Sequence, residues 1–369
     1  IDSNYCDKLF LENSYLENVS GPAIVITNEN NSNNQITFRN VYCKHVPTLA
    51  RYTRSNTYTQ VQHQIYHIKA YDHGLQMDSL SAQPEYATSV DVEPLHKMPA
   101  ALVTDIPSLP AMDTWVNLRE LGAKGDGQSD DTKVLQSAID RYDNIYVPQG
   151  WYRITETLKL KPHTKLIGMH PYGTQLRLEE STPAFSGFGG PKAMVESSEG
   201  GDNMLVGIGI NTGGINYRAV GVKWMAGSDS YMNDVKFVGG HGGMWKPRPG
   251  AEAPRGWWQR PAQVSTPDKP VTEQGKDLAW DNQYWSLWVT NGGGGTFKDI
   301  WTASSYAAAG FYAQNTSTQG RIYAMSIEHH VRHEVRFNGV SNWKVYCMQT
   351  EEESRESTEC QPIEMDDCH

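Results

Sequence analysis

The sequence lacks any apolar run near the ~18 residues that a bilayer-spanning helix needs, which excludes a transmembrane helix. It also lacks a surplus of positive charge. The formal net charge is −10, the wrong sign for a protein that grips a phosphate backbone, so nucleic acid is excluded as a partner. Cysteine is scarce. Cys6, Cys43, Cys347, Cys360 and Cys368 are too few and too widely spaced for a disulfide scaffold or a CxxC metal site. Cys360 and Cys368 could pair in an oxidising compartment, and free buried thiols are the equal alternative. Helical periodicity is nearly missing as well. One segment has it: Ser129 to Thr132 offer capping oxygens, and Val134, Leu135, Ala138 and Ile139 then recur at helical spacing up to Tyr142.

What is present is length, glycine and aromatic side chains. At 369 residues the chain exceeds one ordinary compact core, leaving two domains or an elongated repeat array. Most of it reads as short strands punctuated by Gly and Asn, and the strands repeat. "KLFLENSYLENV", "QITFRNVYCKHV" and "QIYHIKAYDHG" align at Leu9, Ile36 and Ile65, in steps of 27 and 29 residues. Later, "TFKDIWTASS", "RIYAMSIEHH" and "NWKVYCMQTE" align at Phe297, Ile322 and Trp343, in steps of 25 and 21. A period in the twenties marks a solenoid in which each repeat is one coil of strands. The expected fold is all-β, a right-handed parallel β-helix in two modules. Residues 1–80 are expected to be the last coils of a first module, 81–115 a proline-rich linker, and 116–369 the second module.

Two features interrupt the second module. Residues 245–283 hold six prolines together with Trp257, Trp258 and Trp280, a density that coil strands do not tolerate, so an ordered loop outside the stack is expected. Before the first full strand, the helix at about 130–142 is placed to cap the open end of the solenoid. A phosphate loop at Gly122, Gly125 and Gly127 is the weaker reading, because the spacing fits neither GxGxxG nor a P-loop and the turn is crowded with Asp. The chain starts at Ile1 without a charged-then-apolar leader, so any signal peptide is expected to have been removed or to lie outside it.

The segment "GAKGDGQSDDT…AID…VPQGWYRI" resembles the N-terminal signature of pectate-lyase-like (pectin-lyase-like) β-helix modules. Together with "GGGGTFKDIW" and "GRIYAMSIEHHVRHEVRFNGVSNWKVYCMQTEEE", the stretch from about Trp115 to Glu353 resembles the second module of glycoside hydrolase family 55. Members are tandem β-helix enzymes that act on β-1,3-glucans, mostly as exo-acting inverting hydrolases. The family's Ser-Glu-His stands here as Ile327-Glu328-His329, with Ser326 one place earlier. Its Gln-Thr-Glu is Gln349-Thr350-Glu351. The resemblance implies Glu351 as general acid and Glu328 as the residue that holds the attacking water. After Glu351 the pattern departs: Glu352, Glu353 and Ser354 replace the family's Thr-Pro and tyrosines.

The residues themselves allow this chemistry. Glycoside hydrolysis needs one carboxylic acid to protonate the leaving oxygen and a second group to activate water or attack. Glu328 and Glu351 are 23 residues apart, about one coil, so stacking puts them on one face. Two carboxyl groups that close do not both ionise freely, and one is left as a proton donor. Direct stacking leaves about 5 Å between them, whereas inversion wants ~6.5–9.5 Å, so an offset in register or a longer reach is expected. A solvated acidic face is the bland alternative. Gln349, His329, Trp257, Trp258 and His241 are the candidate substrate contacts. Against these stands a loop that packs on its own tryptophans. Neighbouring His329 and His330 point to opposite faces of a strand and cannot share one ion, so no metal is expected.

The expected function is therefore hydrolysis of a β-glucan, β-1,3-linked by resemblance, by a secreted protein. Neither cofactor, membrane nor nucleic acid takes part. A polysaccharide lyase on an acidic glycan is the alternative enzyme. It would need clustered Asp for Ca²⁺ and a basic proton abstractor, and Asp366 and Asp367 have no Lys beside them. A non-catalytic carbohydrate-binding β-helix is the third class.

Overall fold

The computed structural model describes residues 8–29, 34–79, 81–187, 189–213, 216–239, 283–305, 307–330, 332–351 and 362–369. It also gives the backbone of three two-residue strands, Asp2–Ser3, Thr272–Glu273 and Lys276–Asp277. The protein is a parallel β-helix of about 11 turns with very little helix. By backbone proximity it divides into two compact units, Ile1–Asp105 and Ile106–His369.

In the second unit each coil stacks on the next in register. One inward column runs Ile145, Leu166, Leu205, Met232, Phe297 and Ile322, each paired with its neighbour through parallel ladders. All six are buried to 1% exposure or less. Single coils expose this face, and stacking removes it from water at about 25 cal/mol per Å² of apolar surface. A seven-stranded parallel sheet from Leu158–Lys159 to Ile363–Asp366 closes another side.

The column corrects one sequence alignment. Ile322 pairs with Val345, not with Trp343, so the second step is 23 residues. Trp343 instead lies over Gly320, where a Cβ would collide with its ring. There it plugs the core against Phe297, Phe311 and Phe337, with ring centroids at 5.6, 5.9 and 6.2 Å.

The capping helix is Thr132–Arg141, and Leu135, Ala138 and Ile139 are buried in the solenoid core. The acidic turn before it is occupied by its own carboxylates. Buried Asp131 accepts from the backbone N–H of Lys124 (2.7 Å) and of Gly125 (2.9 Å). Asp126 accepts from the N–H groups of Ser129 (2.7 Å) and Gln128 (2.8 Å), which, with the Ser129 hydroxyl, hold its carboxyl down at about 2. A phosphate at this loop would have to displace those carboxylates. Gly125 is required twice over: its φ is +57°, and a Cβ would sit 2.9 Å from the Tyr152 ring.

The first unit departs from the expected repeat. Leu9 and Ile36 pair in parallel, as the period implies. Ile65 does not continue the column. Strand Ile65–Gln76 runs antiparallel to Gln35–Lys44, with Ile65 opposite Lys44 and Ile36 opposite His73. The reversal comes at the hairpin joining Thr48–Tyr52 to Thr57–Gln60. Asn56 there adopts φ +54°, the left-handed conformation that Asn tolerates in turns. The expected linker at 81–115 is also not all linker: Glu85–Pro94 is a strand paired antiparallel to Ile65–Gln76. Its Pro94 ends the strand, where a missing N–H costs nothing.

Cys43 is buried, and desolvation pushes its thiol up to about 11. The Cys368 thiol donates to the Asp366 carbonyl (3.3 Å); Cys6 and Cys360 lie outside the described residues.

Candidate active site

Three successive strands, Gly295–Ser305, Met325–Glu328 and Met348–Glu351, build the site. Alternation turns Ile327 into the core at 0% exposure and leaves Ser326 and Glu328 outward. The ladder then dictates the neighbours. Trp301 pairs with Ser326 and Ser326 with Gln349; Glu328 pairs with Glu351. The expected offset between the two glutamates is absent, because no bulge interrupts the ladder between these strands.

The Ser326 hydroxyl donates to Glu328 Oε1 at 2.5 Å and also contacts Gln349 Oε1. Gln349 is thereby tied to the acid pair through Ser326. His329 ends its strand at φ +62°, which breaks the alternation and brings its ring to the side of Glu328. Its backbone N–H donates to the Glu351 carbonyl (3.0 Å), and its Nε2 lies 3.9 Å from Glu351 Oε1. One donor atom each from Glu328, His329 and Glu351 lies within 4.8 Å of the others. Such a set can hand over a proton, orient water or hold a cation.

The three histidines go separate ways. His330 is buried, with Nδ1 2.5 Å from Glu334 Oε2 and Nε2 3.2 Å from Thr302 Oγ1. The space for its ring exists because residue 310 is glycine; a Cβ there would collide with His330. The His333 ring faces Glu364 at 3.4 Å. Only His329 reaches the acid pair.

Two aromatic residues that the sequence pattern did not single out stand on this face: Trp301, opposite Ser326, and Tyr172, against Trp301. The rings of Tyr172 and Trp301 meet edge-on at 6.0 Å. The Tyr172 hydroxyl is pushed above its ordinary range, first by burial and then by the negative charge of Glu328 and Asp234. Lys236 is the register partner of Trp301, and its Nζ lies 2.9 Å from Asp299 and 3.5 Å from Asp234. Trp301 stands 25 residues before Ser326, one coil, so the repeat period could have found it. Tyr172 carries no such signal.

His241, Trp257 and Trp258 lie outside the described residues, as do Glu352 and Glu353. Trp285 and Trp288, at the exit of the proline-rich segment, belong to the seven-stranded sheet and pack with Tyr284 and Tyr312 rather than beside the acids.

The family model "Rhamnogalacturonase A/epimerase, pectate lyase-like" matches residues 115–206. That segment holds the capping helix and the first coils, and also Tyr172; Glu328 and Glu351 lie beyond it. Among curated proteins, the chain is 31% identical over 143 residues to the "Probable glucan endo-1,3-beta-glucosidase" of Arthroderma benhamiae, covering 36% of this chain and 16% of that protein. It is 40% identical over 60 residues to the "Plasmin and fibronectin-binding protein A" of Streptococcus pneumoniae, 15% of this chain and 8% of that one. Among solved structures it is similar to the catalytic unit of the GH87 α-1,3-glucanase of Streptomyces thermodiastaticus, at 13% identity and a TM-score of 0.32, over 85% of this chain and 53% of that one. The chain thus spans a small part of the curated relatives it matches. Among the described residues, no helix is long and apolar enough to cross a membrane.

Proposed function

We propose that this protein is a glycoside hydrolase acting on a β-glucan, β-1,3-linked, with Glu351 as general acid and Glu328 as its partner. The observation that carries the proposal is the direct register pairing of the two glutamates on the outer face of the solenoid. Glu351 is the more exposed of the two, which suits the group that must reach a leaving oxygen. Glu328, held by Ser326, is the more fixed. Tyr172 and Trp301 would offer aromatic surface to the C–H faces of a sugar. Gln349 and His329 would supply hydrogen bonds to its hydroxyls. The partial likeness to a glucan endo-1,3-beta-glucosidase supports a glucan as substrate. A polysaccharide lies outside the cell, so the protein is proposed to be secreted.

The separation bears on mechanism. Inversion needs room for a water between the carboxyl groups, ~6.5–9.5 Å, whereas retention uses ~5–5.5 Å. Donor atoms within 4.8 Å support retention, with Glu328 attacking the anomeric carbon, over the inversion that the resemblance implies. In the first step the Glu351 proton passes to the departing oxygen as a glycosyl–Glu328 ester forms. In the second, Glu351 takes a proton from water, which releases the sugar.

The pectate lyase-like family match favours a second reading, a lyase on an acidic glycan. Release of reducing ends from laminarin, compared with release of unsaturated products from pectin, separates the two. Hydrolysis of laminarin alone supports the glucanase; unsaturated products from pectin alone overturn it.

A further inference from the structure

The first unit contains a cavity of about 510 Å³ that the acid pair does not explain. Its walls come from the segment after Ile24–Ile26, from the hairpin Thr48–Tyr52/Thr57–Gln60, and from strands Ile65–Gln76 and Glu85–Pro94. The size falls in the ~300–1,000 Å³ range of small-molecule sites. The lining is unusual for such a site because hydroxyl groups dominate it: Tyr52, Thr57, Thr59, Tyr86 and Thr88 all contribute.

Two ionisable groups sit within this lining and both are nearly buried. Glu29 is 6% exposed and His73 is 3% exposed. Glu29 Oε1 accepts from the Ser55 N–H at 2.5 Å, and Oε2 from the Ser55 hydroxyl at 3.2 Å. Each oxygen keeps a further lone pair. His73 is fully bonded as a neutral ring: Nε2–H is shared between the Tyr86 hydroxyl oxygen (2.9 Å) and the Glu29 carbonyl (3.2 Å), and Nδ1 accepts from Thr88 (2.8 Å). The Tyr86 hydroxyl donates to the same Glu29 carbonyl. The Tyr52 hydroxyl is fixed between Thr59 and Tyr71, at 3.1 and 2.9 Å. The rings of Tyr52 and Tyr86 flank that of His73, each with its centroid 5.3 Å away. The rotors and rings are therefore set before any ligand arrives, which lowers the cost of binding one.

The chemistry of the lining selects its ligand. Among the described residues no cation lines the cavity, so an anion finds no partner there. The one carboxylate is already bonded twice by Ser55, which weakens it as a counter-ion for a cation. Fixed hydroxyls, a carboxylate with spare lone pairs and tyrosine rings suit a neutral ligand that is dense in hydroxyls and has an apolar C–H face. We propose that this cavity is a binding site for a neutral saccharide unit, built wholly from the first unit and independent of hydrolysis at Glu351.

The test is isothermal titration calorimetry on the full chain carrying Glu351→Gln, so that no sugar is consumed. The probes are glucose, laminaribiose, maltose and N-acetylglucosamine, with tetramethylammonium as the competing cation. At least one sugar is expected to bind. Its affinity should fall at least tenfold in Glu29→Gln and in Thr57→Trp. Thr57 is exposed at the rim, so Thr57→Trp fills the cavity without disturbing the core if Glu29→Gln fails to fold. Absence of sugar binding, binding that both variants retain, or binding of tetramethylammonium in place of sugar overturns the proposal. Laminarin turnover by the unaltered chain is read separately, so failure of the glucanase reading is distinguishable.

Discussion

Glu328 and Glu351 are direct register partners on adjacent parallel strands, with donor atoms within 4.8 Å. No residue of the ladder is spare between them. That spacing predicts the stereochemistry of the proposed hydrolysis. Proton NMR of laminarin or an aryl β-glucoside at early times should show the β-anomer as first product. The α-anomer as first product would mean that a different group, farther away, activates the water.

Trp301 is the register partner of Ser326 and meets Tyr172 at 6.0 Å. If they form the sugar platform, Trp301→Ala should raise KM for laminarin by roughly tenfold, worth about 1.4 kcal/mol, with kcat nearly unchanged. Steady-state kinetics check this. An unchanged KM would leave the pair as packing only.

Asp131 ties the turn at Lys124 and Gly125 to the capping helix. Asp131→Ala leaves those N–H groups without their acceptor, at a cost of roughly 1–3 kcal/mol. Denaturant unfolding should show that loss, while added phosphate should not restore it.

Burial lowers the affinity of His73 for a proton in the folded chain. Above pH ~6.5 the ring is neutral in both states and its contribution to stability is complete. As the pH falls from there through the lower folded pKa, the unfolded chain takes up a proton that the folded chain refuses. The unfolding free energy therefore falls. Urea unfolding of the unaltered chain should weaken from pH 7 to pH 5, and His73→Gln should remove part of that dependence. An identical slope in the two would show that other groups carry it.

The parallel coils were legible because stacking repeats the same inward side chains at a near-constant step, as at Phe297 and Ile322. The capping helix was legible from its own periodicity. The reversal at Asn56 was not, because Ile65 belongs to a strand of alternating apolar residues that fits either direction equally well. Trp343 misled for a related reason: a large ring can plug a core end two residues away from the column it resembles. The acid pair could be placed from 23 residues of spacing, yet the turn of His329 toward it depends on a left-handed φ that spacing does not encode. Tyr172 joins the site through the stacking of several coils, so it was invisible to local pattern.

The most direct measurement is turnover of Glu351→Gln on laminarin beside an aryl β-glucoside with a good leaving group. The substitution keeps the shape of the side chain and removes its proton. Laminarin turnover should fall about 10²–10⁴-fold, the usual worth of a general acid. The aryl substrate needs little protonation and should lose much less in the step that forms the glycosyl–Glu328 ester, whereas Glu328→Gln should damage both alike. If Glu351→Gln turns over every glucan at the rate of the unaltered protein, the register pair is an acidic face of the solenoid and not a catalytic one.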